Sequence, residues 1–279
     1  MNALEINNLK KAYKDFTLDH ISLTLPSGSI MGLIGENGAG KSTTIKLILG
    51  MIHKDSGTIK ILGKDNRQNL KELKEDIAVV LDEIGYPDCI TPKQLNQIMK
   101  NTYKRWNEET FFQYVDTFSL PQKKIFKDYS RGMKMKLGIA AALSHEPKLL
   151  ILDEATSGLD PVVRDQVLEI FSEFTREESH SILISSHIVS DLEKLCDYIA
   201  FLHKGKLVLC DEKDKLLERY GMIHCTQEQL KCFSAAILGK KTSSYGAEAV
   251  VERAKLPAGY PVSPIGIEEL FIYMAKEAH

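Results

Sequence analysis

Apolar and polar residues in this chain follow two different periods. Between Leu4 and Leu25 apolar positions recur every second residue in short stretches such as Ile21-Ser22-Leu23-Thr24-Leu25, and Pro26-Ser27-Gly28 follows. That alternation predicts half-buried strands followed by a turn. The run Ile30-Met31-Gly32-Leu33-Ile34 carries no polar side chain on either face, as a strand in a sheet interior requires. A glycine-rich turn comes next, and from about Lys41 the residues Thr43 to Leu49 take helical character. Ile77 to Leu81, Leu149 to Leu152, Ser181 to Ser185 and Tyr198 to Leu202 repeat the buried-strand pattern. Separation of the last three by helix-length sequence predicts βαβ units, an α/β fold with a largely parallel sheet.

From about Cys89 to His145 the texture changes. Thr91-Pro92-Lys93-Gln94 is a helix start, with Thr91 as cap, Pro92 in the first turn and Gln94 in capping-box position. Leu95, Ile98 and Met99 are expected on one helical face. Tyr103, Trp106, Phe111, Phe112, Tyr114 and Phe118 continue an aromatic stripe, read as the core of a compact helical insert. Beyond about Cys210 the pattern changes again: a helix is expected from Gln227 to Leu238, then a Gly/Ser/Pro-punctuated stretch. A last amphipathic helix follows, with Ile267, Leu270, Phe271 and Met274 on one face. The expected organisation is one main domain over 1–210, with the insert at about 89–145, and a small appendage over 211–279.

Composition narrows the class without naming a chemistry. With 279 residues, 43% hydrophobic and 27% charged, the chain has material for a sizeable core, so no long segment is expected to be disordered. A net charge of -2 provides no global field for counterion-release binding to nucleic acid, and no nucleic-acid partner is expected. Five cysteines, an odd number without a Cys-x-x-Cys pair, point to neither a disulfide framework nor a zinc site and fit a reducing cytoplasm. The start lacks the pattern of a secretory signal, and no apolar run is long enough to span a bilayer, so a membrane role must come through a partner.

Gly35-Glu36-Asn37-Gly38-Ala39-Gly40-Lys41-Ser42 fills every specified position of the phosphate-binding template G-x-x-x-x-G-K-[ST], between a buried strand and a helix. Glycines let backbone amides converge on phosphate oxygens, and the helix amino terminus adds positive potential. Lys41 is placed to neutralise the outer phosphates, and Ser42 to offer a hydroxyl to magnesium. The strand Leu149 to Leu152 ends in Asp153-Glu154. Asp153 is the candidate to hold magnesium, and Glu154 the candidate to polarise an attacking water.

Tyr129-Ser130-Arg131-Gly132-Met133, lying between these two halves, is similar to the signature sequence of the ABC ATPase family, most often Leu-Ser-Gly-Gly-Gln. Ser130 and Gly132 match that form, while Tyr129, Arg131 and Met133 depart from it. Ser157-Gly158-Leu159-Asp160 resembles the family's D-loop, and His187 its switch histidine. Tyr13 stands where the family stacks an aromatic ring on adenine, with Phe16 as the competing candidate. Relatives carry a glutamine after the strand Ile77 to Leu81. Asp82-Glu83 stands there instead, and Asp82 is a candidate magnesium ligand.

The resemblance covers roughly Leu4 to Cys210 and is most like the ATPase subunits of bacterial type-2 ABC exporters. It implies a P-loop NTPase fold with a mixed sheet, an antiparallel β subdomain and a helical signature subdomain. ATP and Mg2+ are the implied ligands. The implied nucleotide contacts are Tyr13, the loop from Gly35 through Asn37, Gly38, Ala39, Gly40 and Lys41 to Ser42 and Thr43, and Ser130, Gly132 and Asp160. Glu154 and His187 are the implied catalytic residues. Two such chains, identical or related, would sandwich ATP head to tail and drive transport through separate transmembrane permease subunits, from the cytoplasmic face of the membrane. Two other readings share these motifs: a soluble ABC ATPase with a non-transport partner, and a nucleotide-gated regulatory module. A GTPase would need an Asn-Lys-x-Asp sequence, which is absent.

Overall fold

The computed structural model describes residues 1–68, 70–243 and 246–277. Strand β1 (Asn2–Ala12) pairs antiparallel with β2 (Thr17–Pro26), in which Leu18, Ile21, Leu23 and Leu25 are buried while Ser22 and Thr24 face solvent. Strand β3 (Ile30–Ile34) is buried along its whole length and leads through the glycine-rich loop into α1 (Lys41–Ile48). Strands β4 (Ser56–Ile61) and β5 (Lys64–Asp65) extend the first sheet, in the order β2-β1-β4-β5. A short α2 (Leu70–Leu73) precedes β6 (Ile77–Val80).

The insert forms α3 (Pro92–Thr102), α4 (Glu108–Thr117) and α5 (Arg131–Leu143). The capping box at Thr91 and Gln94 is present. One expected position is corrected: Leu95 is buried, but Ile98 is 44% exposed. The inward face of α3 runs through Leu95, Asn96 and Met99, because Asn96 is drawn in to accept a 2.8 Å bond from Trp106 Nε1. Phe111 and Phe118 are fully enclosed, and the other aromatic residues from Trp106 to Tyr114 pack around them as expected.

The chain then alternates through β7 (Leu149–Asp153), α6 (Pro161–Phe174), β8 (Ser181–Ser186), α7 (Val189–Leu195), β9 (Tyr198–His203) and β10 (Lys206–Glu212). The second sheet runs β10-β9-β3-β8-β7-β6, parallel throughout except for β10 at its edge. Its side chains divide by parity between two cores. Ile30, Ile34, Leu150, Leu152, Ile182 and Ile184 face the helical insert and α6. Met31, Leu33, Leu149, Ile151 and Leu183 face α1 and the antiparallel sheet. Each such enclosed side chain is worth roughly 1.5 to 3 kcal/mol, so the sheet is clamped from both faces.

The remaining segment contains α8 (Lys213–Arg219), β11 (Tyr220–Cys225), α9 (Gln227–Cys232), β12 (Ile237–Ser243), β13 (Gly246–Glu252) and α10 (Ile267–Glu277), with a third sheet ordered β11-β13-β12. The helix expected over Gln227 to Leu238 is therefore corrected: it stops at Cys232, and Ile237 onward pairs antiparallel with β13. Cross-strand pairing overrides local helical propensity here, and at Gly239 a Cβ would lie 2.4 Å from the Tyr273 carbonyl oxygen, which ties the strand to α10. Ile267 and Leu270 of α10 are each 2% exposed, and Phe271 meets Phe201 edge to face at 4.7 Å. The expected apolar face of α10 thus lies against the central sheet. Among the described residues, no helix is long and apolar enough to cross a membrane.

Candidate functional site

The sheet order brings three strand ends together. Strand β8 lies between β3 and β7, with Ile34 opposite Ser186 and Asp153 opposite Ser185. The loop leaving β3 and the carboxylates leaving β7 therefore share the carboxyl edge of the sheet, where ligands bind in open α/β folds. Directly after Ile34, a Cβ at Gly35 would sit 2.6 Å from the Leu202 carbonyl oxygen, so only glycine lets the chain turn out of the sheet there. Gly40 caps α1 with φ 113°, and a Cβ on it would approach Leu18 to 2.9 Å. No acidic residue occupies the first turn of α1, which leaves its positive end available to an anion.

Lys41 is 6% exposed, and its ammonium donates to the carbonyl oxygens of Gly35 at 2.6 Å and Glu36 at 3.3 Å. Burial pulls its pKa below the usual lysine value, and the charges of Glu154 and Asp153 oppose that shift. Glu154 has φ 54°, an unusual conformation for a non-glycine residue, fixed by its amide donating 3.0 Å to the Ser185 carbonyl oxygen. This turn puts one carboxylate oxygen 3.9 Å from Lys41 Nζ and the other 2.6 Å from His187 Nδ1. Asp153 is 6% exposed, and its Oδ1 accepts a 2.5 Å bond from the Ser185 hydroxyl.

Lys41, Glu154 and His187 open onto a cleft of about 630 Å³, lined also by Gly38, Gly40 and Ser42, while Gly35, Ala39 and Asp153 lie outside its lining. Asn37, Thr43 and Asp82 also border it, whereas Tyr13 does not. Phe16, held by a turn in which the Tyr13 amide donates 2.7 Å to the Phe16 carbonyl, faces the cleft, and the Tyr13 ring lies 6.5 Å behind it, 47% exposed. Ser130 and Gly132 lie outside the cleft. Ser130 caps α5 by accepting from the Met133 amide at 3.3 Å, and a Cβ on Gly132 would lie 3.5 Å from the Gly158 carbonyl. Asp160 caps α6, accepting from the Val163 amide at 3.1 Å, with Pro161 in the first turn. The Asp82 carboxylate is engaged by the Arg131 guanidinium.

Two contributors carry little signal in the one-dimensional sequence. Ser185 holds Asp153 from the neighbouring strand. Its trace is the polar pair Ser185-Ser186 at the end of a strand buried along its whole length. Arg131 enters the cleft wall from the insert, and its departure from the family's signature was the only hint.

A family model described as ABC transporter matches residues 18–157. The bacitracin transport ATP-binding protein BcrA of Enterococcus faecalis is 36% identical over 208 residues, 74% of this chain and 68% of that protein. The lantibiotic transport ATP-binding protein SrtF of Streptococcus pyogenes is 38% identical over 215 residues, 76% of this chain and 91% of that protein. A solved ATP-binding subunit of an ABC transporter superposes with a TM-score of 0.72 at 28% identity, over 77% of this chain and 92% of that one. With the phosphate loop, the acidic strand end and the insert arranged on one P-loop NTPase scaffold, the chain belongs to the ABC transporter family as an ATP-binding, ATP-hydrolysing subunit.

Proposed function

We propose that this subunit hydrolyses MgATP at a head-to-tail interface between two ATPase subunits, and that the resulting closing and opening drives export through separate permease subunits. The observation that carries this reading is the convergence of Lys41, Glu154 and His187 on one cleft, with the carboxylate of Glu154 between the two basic side chains. Lys41 and the amides at the start of α1 hold the phosphates. Glu154 orients the attacking water and takes its proton, while His187 steadies that carboxylate and faces the γ-phosphate. Water attacks the γ-phosphorus, and the bond to the bridging oxygen of ADP breaks.

Magnesium fits the donor set. Ser42 on the cleft wall and the nearly buried carboxylate of Asp153, one oxygen of which accepts from the Ser185 hydroxyl, are hard oxygen donors that would hold the ion. When bound, the ion neutralises charge on the outer phosphates. Phe16 serves as the nearer stacking surface for adenine, with Tyr13 behind it. Ser130 and Gly132 stand outside their own chain's cleft at an exposed helix start. This supports their serving the γ-phosphate of a partner subunit, with Asp160 at the same interface. The working location is the cytoplasmic face of the membrane, reached through the permease. Relatives named for bacitracin and lantibiotic transport support an exporter of that kind.

The decisive experiment is phosphate release by the purified chain with MgATP, followed by co-purification with membrane proteins from its own cells. A permease that co-purifies and stimulates turnover is expected. Turnover without any membrane partner, with the chain remaining in the soluble fraction, would favour a non-transport ATPase.

A further inference from the structure

Two departures from the family pattern meet in space. Asp82 stands where relatives carry a neutral glutamine, and Arg131 stands at the centre of the Tyr129 to Met133 segment. The Arg131 guanidinium donates to Asp82 Oδ1. The arginine reaches the carboxylate alongside the D-loop, since a Cβ on Gly158 would lie 3.5 Å from Arg131 Cδ and 3.6 Å from its Nε. Both residues line the cleft that holds Lys41, Glu154 and His187. Their side chains are 59% and 45% exposed, so the pair contributes little to folding. Its consequence lies in the charge presented to the cleft. A carboxylate without its partner would repel a triphosphate, whereas the pair presents no net charge, as glutamine does.

We infer that Arg131 is a positioning residue that holds the Asp82 carboxylate and cancels its charge beside the nucleotide, so that Asp82 and Arg131 act as one neutral unit in place of the glutamine. On this view Asp82 is spent on the guanidinium and does not ligate the metal. The same bond ties the start of α5 to the segment after β6, so the wall of the cleft and the signature segment move together.

The inference rests on the reading of the cleft as a nucleotide site, and Lys41→Ala tests that reading separately. The experiment is titration of the full chain with a fluorescent ATP analogue, with and without magnesium, at low and high salt. Arg131→Ala should weaken binding by about three- to tenfold at low salt, and the deficit should shrink at high salt because the uncancelled charge is exposed. Arg131→Lys should keep most of the affinity, and Asp82→Gln combined with Arg131→Ala should return it to within about twofold of the parent. A merely structural contact would not be rescued by removing the second partner. Parent-like binding by Arg131→Ala at low salt would overturn the inference. So would a double variant as weak as Arg131→Ala alone, because the arginine would then act on the nucleotide directly, or a still weaker one, because Asp82 would then be a metal ligand. Parent-like binding by Lys41→Ala would instead overturn the nucleotide reading itself.

Discussion

His187 Nδ1 lies 2.6 Å from Glu154 Oε2, so this histidine and the acidic strand end are already in hydrogen-bond contact within one subunit. The carboxylate is held by the unusual backbone at residue 154 and by this ring, which leaves few orientations open to it. In the proposed mechanism, a base held in this way loses little freedom when water arrives.

Glu154→Gln should therefore leave ATP affinity within a few fold of the parent while turnover falls at least about a hundredfold, the scale of a lost general base. His187→Ala should reduce turnover while leaving the fold intact. Phosphate release measured beside nucleotide titration separates the two quantities. Unchanged turnover in Glu154→Gln would remove it from catalysis.

Gly132→Asp should block ATP-dependent dimerisation without unfolding the chain. The nearest atoms to a Cβ there are at 3.5 and 3.7 Å, an ordinary contact distance, so the monomer tolerates the side chain. In the proposed head-to-tail dimer, a carboxylate at the start of α5 would instead meet the partner's triphosphate. Size-exclusion chromatography with and without ATP, supported by circular dichroism, provides the check. Parent-like dimerisation would place Gly132 away from the interface.

His145 supplies a pH dependence of a stated sign. It is 2% exposed, with its ring stacked on Tyr103 at 4.0 Å, and burial lowers its pKa from 6.5 to about 4. A folded value below the unfolded one means that the unfolded chain takes up a proton that the native chain refuses. The stabilisation is complete above about pH 6.5 and is lost progressively as pH falls toward 4. Denaturant unfolding should lose about 2 kcal/mol from this group between pH 7.5 and 5. In His145→Phe that component should be absent, and an identical pH slope in both proteins would contradict the assignment.

Leu270→Ala should cost about 2 to 5 kcal/mol, the range for emptying a leucine site in a closed core. Thermal unfolding of the full chain measures it. A cost below about 0.5 kcal/mol, the level of an ordinary surface change, would show that α10 adds nothing to the central core.

The strands were legible because period-two alternation and unbroken apolar runs report burial directly, as with Ile21 to Leu25 and Ile30 to Ile34. The phosphate loop was legible because Gly35 and Gly40 occupy places no other residue can take. Features set by distant partners were not. Asn96 displaces Ile98 from the buried face only because Trp106 offers it a donor, and Ile237 leaves the helical pattern only because β13 offers an edge. The Arg131 bond to Asp82 joins segments far apart in sequence and leaves no local pattern. The choice between Tyr13 and Phe16 likewise depends on a turn that aims one ring into the cleft and leaves the other behind it.

Ile34, the residue immediately before the phosphate loop, borders one small apolar gap together with Leu270, Phe271 and Met274. Synthesis runs from the amino end, so the ribosome releases Ile34 long before it releases the helix that borders this gap. A nascent chain therefore carries its whole phosphate loop before α10 closes the gap beside Ile34 and Phe201, and stalled or clipped products ending before Ile267 should expose that apolar edge and be quickly cleared.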